Sequence, residues 1–470
     1  MNDSATTRTR FQTHDAPLAL EAAFDGGRIT SDGGLVWLAE VDRDLGLCEE
    51  IASHVPEWRG PSVRHSLETL VGQRVFQIAS GYEDQNDADA LRSDPLLKLV
   101  LGRLPDTDPD LASQPTLSRL ENAPGAKDCL RIARALVELY VRERGSKEGG
   151  KEGGKEGGKE GGKEGGKEGG AHPSRILLDL DSTDDPTHGE QEGSRYHGYY
   201  GQHMYHPLLV FDGETDQLVT AVLRPGNSHA GRGAVAVLGR IVGRLKEEWP
   251  DAEIEIRADA GFAVPAVYEW CEREGVGYTI GLVPNPRLER IAEPLLERAE
   301  RESDEQGGEK VRLVADAPYE AGSWGRARRV VYKAEATRKG TNTRFVVTSR
   351  RGEAPKDLYD WYVGRGETEG WIKDFKRALK ADRLSCHRFW ANQFRLLLHA
   401  AAYWLLDTLR GRLVAAGARR MQLDTLRLRV VKVGGRVRQL LTVVRMHLAS
   451  SHPGQRLWRL LGKSRRRARE

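Results

Sequence analysis

At 470 residues, with 39% hydrophobic and 30% charged side chains, the chain is long enough for two or three domains with proper cores and reads as a polar globular protein. It has no apolar run of the roughly eighteen residues that a membrane span needs, and its scattered cysteines (Cys48, Cys129, Cys271, Cys386) lack a CxxC pair, against a disulfide framework or a zinc site. The net charge of +3 is uneven: Gly411–Glu470 carries sixteen Lys/Arg against two acids, so the rest of the chain is net acidic.

In chain order, residues 1–146 read as a helical N-terminal region. Ser66–Ile78 and Lys127–Arg142 place apolar residues at helical spacing, among them Ile132, Leu136, Leu139 and Tyr140. Ser113–Asn122, with Pro115 in its first turn and Thr116, Ser118 and Arg119 outward, is either a recognition helix or a plain capped surface helix. The acids Asp84, Asp87, Asp89 and Asp94 lack the glycine and terminal glutamate of an EF-hand, so turn and cap chemistry is expected there. Residues 147–170 are six copies of Lys-Glu-Gly-Gly, half glycine, each glycine costing about 1 kcal/mol in a helix relative to alanine; a flexible linker is predicted.

From residue 171 the strand signals begin. Ile176–Thr183 is a short apolar run whose end carries Asp179 and Asp181, placed by alternation on one face. Strands at His206–Phe211 and Leu218–Arg224 and a helix at Gly233–Glu247 follow. Ala252–Asp259 then alternates strictly, with Glu253, Glu255, Arg257 and Asp259 on one side, and Gly261 turns into a helix at Pro265–Glu274. This β-β-β-α-β-α order predicts an α/β fold with a ribonuclease-H-like mixed-sheet core (171–283), interrupted by a β-rich insertion at 284–352 and completed at 353–410 by a helix carrying the next acid and an apolar helix at Phe389–Leu409. The basic 411–470 region predicts a hairpin turning at Gly434-Gly435, presenting Arg436 and Arg438, then a basic tail; such a block fits nucleic-acid phosphates. His203 and His206 have ligand spacing, without a Cys or His partner in the sequence.

The most specific pattern is Tyr362, Arg365, Glu369 and Lys376, spaced Y-x2-R-x3-E-x6-K. On one continuous helix, Glu369 and Lys376 lie two turns apart on one face. This Y-R-E-K signature resembles the region around the third acidic residue of bacterial insertion-sequence transposases of the DDE superfamily, and Trp371–Leu406 is similar to that group as well. His188–Gly193, Tyr205–Leu208, Leu223–Asn227, Arg344–Thr348, Gly81–Asp84 and Ser113–Arg119 resemble segments of one branch, insertion-sequence family thirteen-eighty. The likeness covers nearly all of the chain outside the glycine-rich tract.

The resemblance implies an Asp-Asp-Glu triad, here Asp181, Asp259 and Glu369, with Asp179 in reserve for the first position. Asp181 is preferred because Ser182-Thr183 follows it as in the family pattern. It implies two Mg²⁺ ions, with Mn²⁺ as an alternative, held by these carboxylates for phosphodiester cleavage and strand transfer. Tyr362, Arg365 and Lys376 would contact DNA phosphates. The implied partners are terminal inverted repeats, target DNA and a second copy of the chain in a synaptic complex. Met1-Asn2-Asp3-Ser4 opens without the apolar run of a secretory leader, so a cytoplasmic, nucleoid-associated location and no membrane partner are expected. Two further readings share these residues: a ribonuclease-H-like nuclease without strand transfer, and a DNA-binding derivative without catalysis.

Overall fold

The computed structural model describes residues 8–11, 18–152 and 172–467. They form two compact units: Gly125–Lys376 with Ala381–Ala400, and Met1–Pro124 with Arg377–Lys380 and Ala401–Glu470. The 125–400 unit is built on one eight-stranded sheet. In chain order its elements are α1 (Ala126–Glu152), β1 (Arg175–Ser182), β2 (Asp185–Pro186), β3 (Arg195–His197), β4 (Gln202–Tyr205), β5 (Leu208–Asp212), β6 (Leu218–Val222), α2 (Ala234–Glu248), β7 (Glu253–Ala258), α3 (Pro265–Glu274) and β8 (Gly277–Leu282). They continue with α4 (Pro286–Glu305), β9 (Val311–Tyr319), β10 (Arg328–Thr337), β11 (Gly340–Thr348), α5 (Pro355–Val363), α6 (Gly366–Lys373) and α7 (Phe389–Ala415), of which the residues from Ala401 on count with the other unit. The main sheet runs β9-β10-β11-β8-β7-β1-β5-β6, and β2, β4 and β3 form a separate small sheet.

The centre of the main sheet is parallel: β1 pairs with β7, and β7 with β8. Parallel strands need crossover helices, which cover both faces. Accordingly Ile176, Leu178, Leu180, Ile256 and Ala258 are all fully buried. Helix α2 between β6 and β7 buries Leu238, Ile241, Val242 and Leu245, the stripe that a 3.6-residue period requires. The expected β-β-β-α-β-α order is present as β1, β5, β6, α2, β7, α3.

Five sequence expectations change. The helix read at Lys127–Arg142 belongs with the sheet rather than with the N-terminal region, because its partners are there. Tyr140 donates to Asp212 at 2.7 Å, and Arg144 pairs with Asp212 and Glu214 at 3.3 and 2.7 Å. That helix also runs to Glu152, into the Lys-Glu-Gly-Gly repeat. Extending an existing helix costs far less than nucleating one, so the glycines do not stop it at the repeat's first residue. The remainder of the expected linker lies outside the described residues.

The 284–352 segment opens with the twenty-residue helix α4, capped by Asn285, and its strands extend the main sheet instead of forming a separate β-rich body. β11 is antiparallel to β8, so the edge of β8 becomes a template for three more strands. Residues 411–470 group with the N-terminal residues. There Gly33 and Gly34 donate to the carbonyls of Val433 and Val431, and Ile29–Thr30 adds to the hairpin Gly435–Gln439 / Val444–Leu448. The hairpin turns at 440–443. Gly434-Gly435 instead leads into its first strand, and Arg427–Val431 is a π-helical turn burying Val430 and Val431. The chain then closes on the helix Gln455–Arg467, whose Trp458 meets Trp37 edge-on at 5.5 Å.

Candidate active site

Register makes the site. β1 and β7 are adjacent and parallel, with Leu177 opposite Glu255, Asp179 opposite Arg257, and Leu180 opposite Ala258. Asp181 and Asp259 each stand one residue beyond that last pair. Side chains at matching positions of parallel neighbours share a face and sit one inter-strand spacing apart, about 4.8 Å. Two rows of this face are therefore charged, Asp179 with Arg257 and Asp181 with Asp259.

The first row is fully committed. Arg257 donates Nε and Nη2 to the two oxygens of Asp179, each at 2.7 Å, and Thr368 Oγ donates to Asp179 Oδ2 at 2.7 Å. Its remaining nitrogen, Nη1, donates to the Trp361 carbonyl at 3.0 Å, and the guanidinium lies over the Trp361 ring. Asp179 has no solvent exposure. Asp179, the reserve for the first metal position, thus ties α6 to the sheet through Thr368, and its partner Arg257 ties α5 through Trp361.

The second row is different. Asp181 Oδ1 accepts from the Ser182 amide at 2.7 Å, and Oδ2 accepts from Arg365 Nη2 at 2.7 Å. The same Arg365 nitrogen is 3.9 Å from Asp259 Oδ2. Asp259 caps the short 3₁₀ turn Ala260–Phe262 through Gly261 N, and its side chain is 43% exposed, so it opens the row to solvent. Burial, opposed by Arg365 and reinforced by Asp259 and Glu369, pushes the Asp181 carboxyl up to about 6. Against burial, the field of Asp181, Tyr362 and Asp259 holds the Arg365 guanidinium firmly protonated. Its Nε is buried without a partner among the described residues.

The Y-R-E-K residues do not share one helix. α5 ends at Val363 and α6 begins at Gly366, with Arg365 as its N-cap, and Asp374–Ala378 is a π-helical turn. A Cβ on Gly364 would stand 3.1 Å from both Arg257 Nη1 and the Trp361 carbonyl, so the break occurs where the Arg257 guanidinium comes against the backbone. Glu369 lies exposed on α6, beside the buried Thr368, and reaches Asp181 through its field. Tyr362, expected at a phosphate, is engaged within the protein: burial pushes its phenol up to about 12, and its hydroxyl donates to the Ala258 carbonyl at 3.2 Å. Lys376 is likewise engaged, donating to the carbonyl and Oδ1 of Asp184, each at 2.7 Å.

Of the residues expected at the site, the structure thus draws Asp181, Asp259 and Arg365 together and leaves Glu369 on the neighbouring helix. Arg119, on an exposed face of the helix Gln114–Asn122, and Arg436 and Arg438, exposed on the first hairpin strand, belong to the other unit. The N-terminal acids do cap and turn: Asp84 accepts from Asn86 N, Asp89 from Gln114 N, and Asp94 from Leu96 and Leu97 N.

Sequence reading missed three supporting residues. Arg257 and Thr368 hold Asp179. Arg224, 7% exposed, donates to Ser182 Oγ at 2.7 Å and to the carbonyls of His206, Ala230 and Arg232. Each carried a faint signal, an arginine at the end of an apolar strand or a small hydroxyl inside an acidic helix. Neither pattern names its partner.

The donor chemistry suits a hard divalent cation, for which carboxylate oxygens are the ordinary ligands. Asp181, Asp259 and Glu369 bring three negative charges and Arg365 one positive, a formal excess equal to one divalent ion. Among the described residues, however, no three His, Cys, Asp or Glu side chains are gathered closely enough to hold an ion in this conformation. Arg365 stands between the first two.

No curated protein matches the chain in sequence. Among solved structures, the chain is similar to one in the cryo-EM structure of the piggyBac transposase synaptic complex with hairpin DNA, with 11% identity and a TM-score of 0.45 over 85% of this chain and 79% of that one. A family model described as transposase DDE domain, group 1, matches residues 13–148 and 168–469, and the chain belongs to that family of transposases.

Proposed function

We propose that the chain cuts DNA at the inverted-repeat ends of a mobile element and joins the freed 3′-hydroxyl to target DNA, with Asp181, Asp259 and Glu369 as its catalytic carboxylates. The observation that carries this reading is the register of β1 and β7, which sets Asp181 and Asp259 side by side on one face with the Arg365 guanidinium at both. The ribonuclease-H-like order of strands and the family both support it.

The protein's own groups supply position and charge. Asp181 on β1 and Asp259 just past the end of β7 are held by their amide bonds to Ser182 and Gly261, so they would lose little freedom on taking up a cation. Mg²⁺ held by the three carboxylates would polarise the phosphoryl group and stabilise the leaving oxygen. Arg365 balances the carboxylates in the free protein; a phosphate arriving at the site offers its guanidinium a second anionic partner, which frees Asp181 Oδ2 for the metal. Glu369, one residue from the Thr368 bond to Asp179, would supply the third carboxylate to the ion. In the other unit, Arg119, Arg436 and Arg438 present basic side chains that suit the DNA backbone. Two copies acting on paired ends complete the reaction.

The test is cleavage of labelled element ends with Mg²⁺, or Mn²⁺ in its place. Asp181→Asn, Asp259→Asn and Glu369→Gln are each expected to abolish cutting while retaining DNA binding. Cutting without joined product would make the protein a nuclease. Binding with no cutting by the unaltered chain would make it a DNA-binding derivative.

A further inference from the structure

Beside the carboxylates stands a small hairpin that the cutting chemistry does not use. β3 and β4 pair Arg195 with Met204, Tyr196 with His203 and His197 with Gln202, leaving the four-residue turn Gly198-Tyr199-Tyr200-Gly201. Gly201 is left-handed (φ 66°), a conformation that glycine adopts without strain. Large apolar rings are unusual at a tight turn, where small polar residues dominate. Here Tyr199 is 87%, Tyr196 56% and Tyr200 38% exposed.

The hairpin is pinned. A Cβ on Gly226 would overlap the carbonyl oxygens of Met204 and Arg195, so that loop lies directly against both strands. Tyr200 meets His197 and the buried His206 edge-on at 5.0 and 6.0 Å. His206 Nδ1 is bonded to the Ser228 carbonyl at 2.7 Å, and its own carbonyl accepts from Arg224, whose other end holds Ser182 beside Asp181. Tyr199 stands perpendicular to Tyr200 at 5.1 Å. A continuous path of contacts therefore runs from Asp181 through Ser182, Arg224 and His206 to the two exposed rings. The Tyr200 phenol is raised first by burial and then by Asp184 and Asp181.

We propose that Tyr199, braced by Tyr200, is a stacking platform for an unpaired DNA base next to the bond being cut. The proposal rests on the DNA-cutting reading and adds the ligand of this hairpin to it. Asp181 is 8% exposed and its row opens to solvent through Asp259, so a phosphate brought there is seated against the sheet face, where a locally unpaired strand fits more readily than regular duplex. The base attached to that phosphate loses its stacking neighbours, and an aromatic face replaces them independently of sequence.

The test compares binding, in EDTA, of a mixed-sequence blunt duplex and the same duplex carrying a short oligo-dT overhang. The unaltered protein is expected to favour the overhang by roughly tenfold. Tyr199→Ala/Tyr200→Ala should erase that margin, and Tyr199→Phe/Tyr200→Phe should keep it. Tyr199→Ala alone, at a position too exposed to affect folding, should lose most of it. Iodouracil in the overhang should photo-crosslink to the 196–203 peptide. An undiminished margin in the alanine variants, or crosslinking elsewhere, overturns the platform. Because this arm is metal-free, its result stands apart from cleavage: a platform in a protein that never cuts would sink only the transposase reading, and cutting with no overhang preference would sink only the platform.

Discussion

Two aspartates two residues apart on one strand face have different tasks, and their neighbours decide which. Asp179 meets Arg257 across β7 and is saturated, whereas Asp181 meets another acid and keeps an oxygen for exchange. Removing one partner of a buried ion pair leaves an uncompensated charge, so Arg257→Met is expected to cost about 3–5 kcal/mol by denaturant unfolding. Replacing Asp179 by Leu in the same chain should recover part of that loss, because both charges are then gone. Asp181 gives a pH test. Its carboxyl, near 6 when folded against an ordinary 3.8, binds more protons in the folded state between those values. That group's contribution therefore falls as pH rises from about 4 to 6, by roughly 3 kcal/mol at 1.36 kcal/mol per unit. In metal-free buffer, unaltered protein should lose stability relative to Asp181→Asn across that window. A flat difference would show that Asp181 titrates normally.

At the scale of elements, the Y-R-E-K spacing was legible and its geometry was not. Read as one helix, seven residues put Glu369 and Lys376 on a common face. The break at Gly364-Arg365 and the π-helical turn at Asp374–Ala378 both change the phase, and a π turn takes an extra residue per hydrogen bond. The cause of the break, the Arg257 guanidinium pressed against Gly364, comes from a strand more than a hundred residues away. Gly364→Ala should therefore destabilise by about 1–3 kcal/mol, as overpacking does, and lower cutting more than DNA binding. Tyr362→Phe removes only the bond to Ala258 and should cost no more than about 1.5 kcal/mol, with DNA affinity unchanged in a filter-binding assay. A large affinity loss would make Tyr362 a phosphate contact.

For the whole molecule, the division into units follows partners rather than chain order. Residues 401–470 supply strands and buried side chains to the same unit as residues 1–124. A fragment ending at Pro124 should accordingly lack cooperative unfolding by circular dichroism, and co-expression with 401–470 should restore it. In the same unit the hairpin alternates inward and outward residues, leaving Arg436, Arg438, Arg445 and His447 exposed, with Arg438 directly opposite Arg445. Like charges facing each other destabilise a hairpin, a cost that an anionic partner would offset. Substituting the three arginines by alanine should weaken DNA binding at all sequences alike and lower the salt slope by about 1 per arginine that touches a phosphate. An unchanged slope would remove this face from the DNA-binding surface.

The sequence by itself determined the periodic and local features: which runs are strands or helices, which side of each is charged, the basic C-terminal block and the family signature. Those follow from residue types at fixed short spacings, which backbone geometry converts directly into faces. Only the tertiary structure decided which aspartate is saturated, where the motif helix breaks, which segments share a core and which rings border the acids. Each of these depends on a partner brought in by strand register or packing from far along the chain, and no local pattern records who that partner will be.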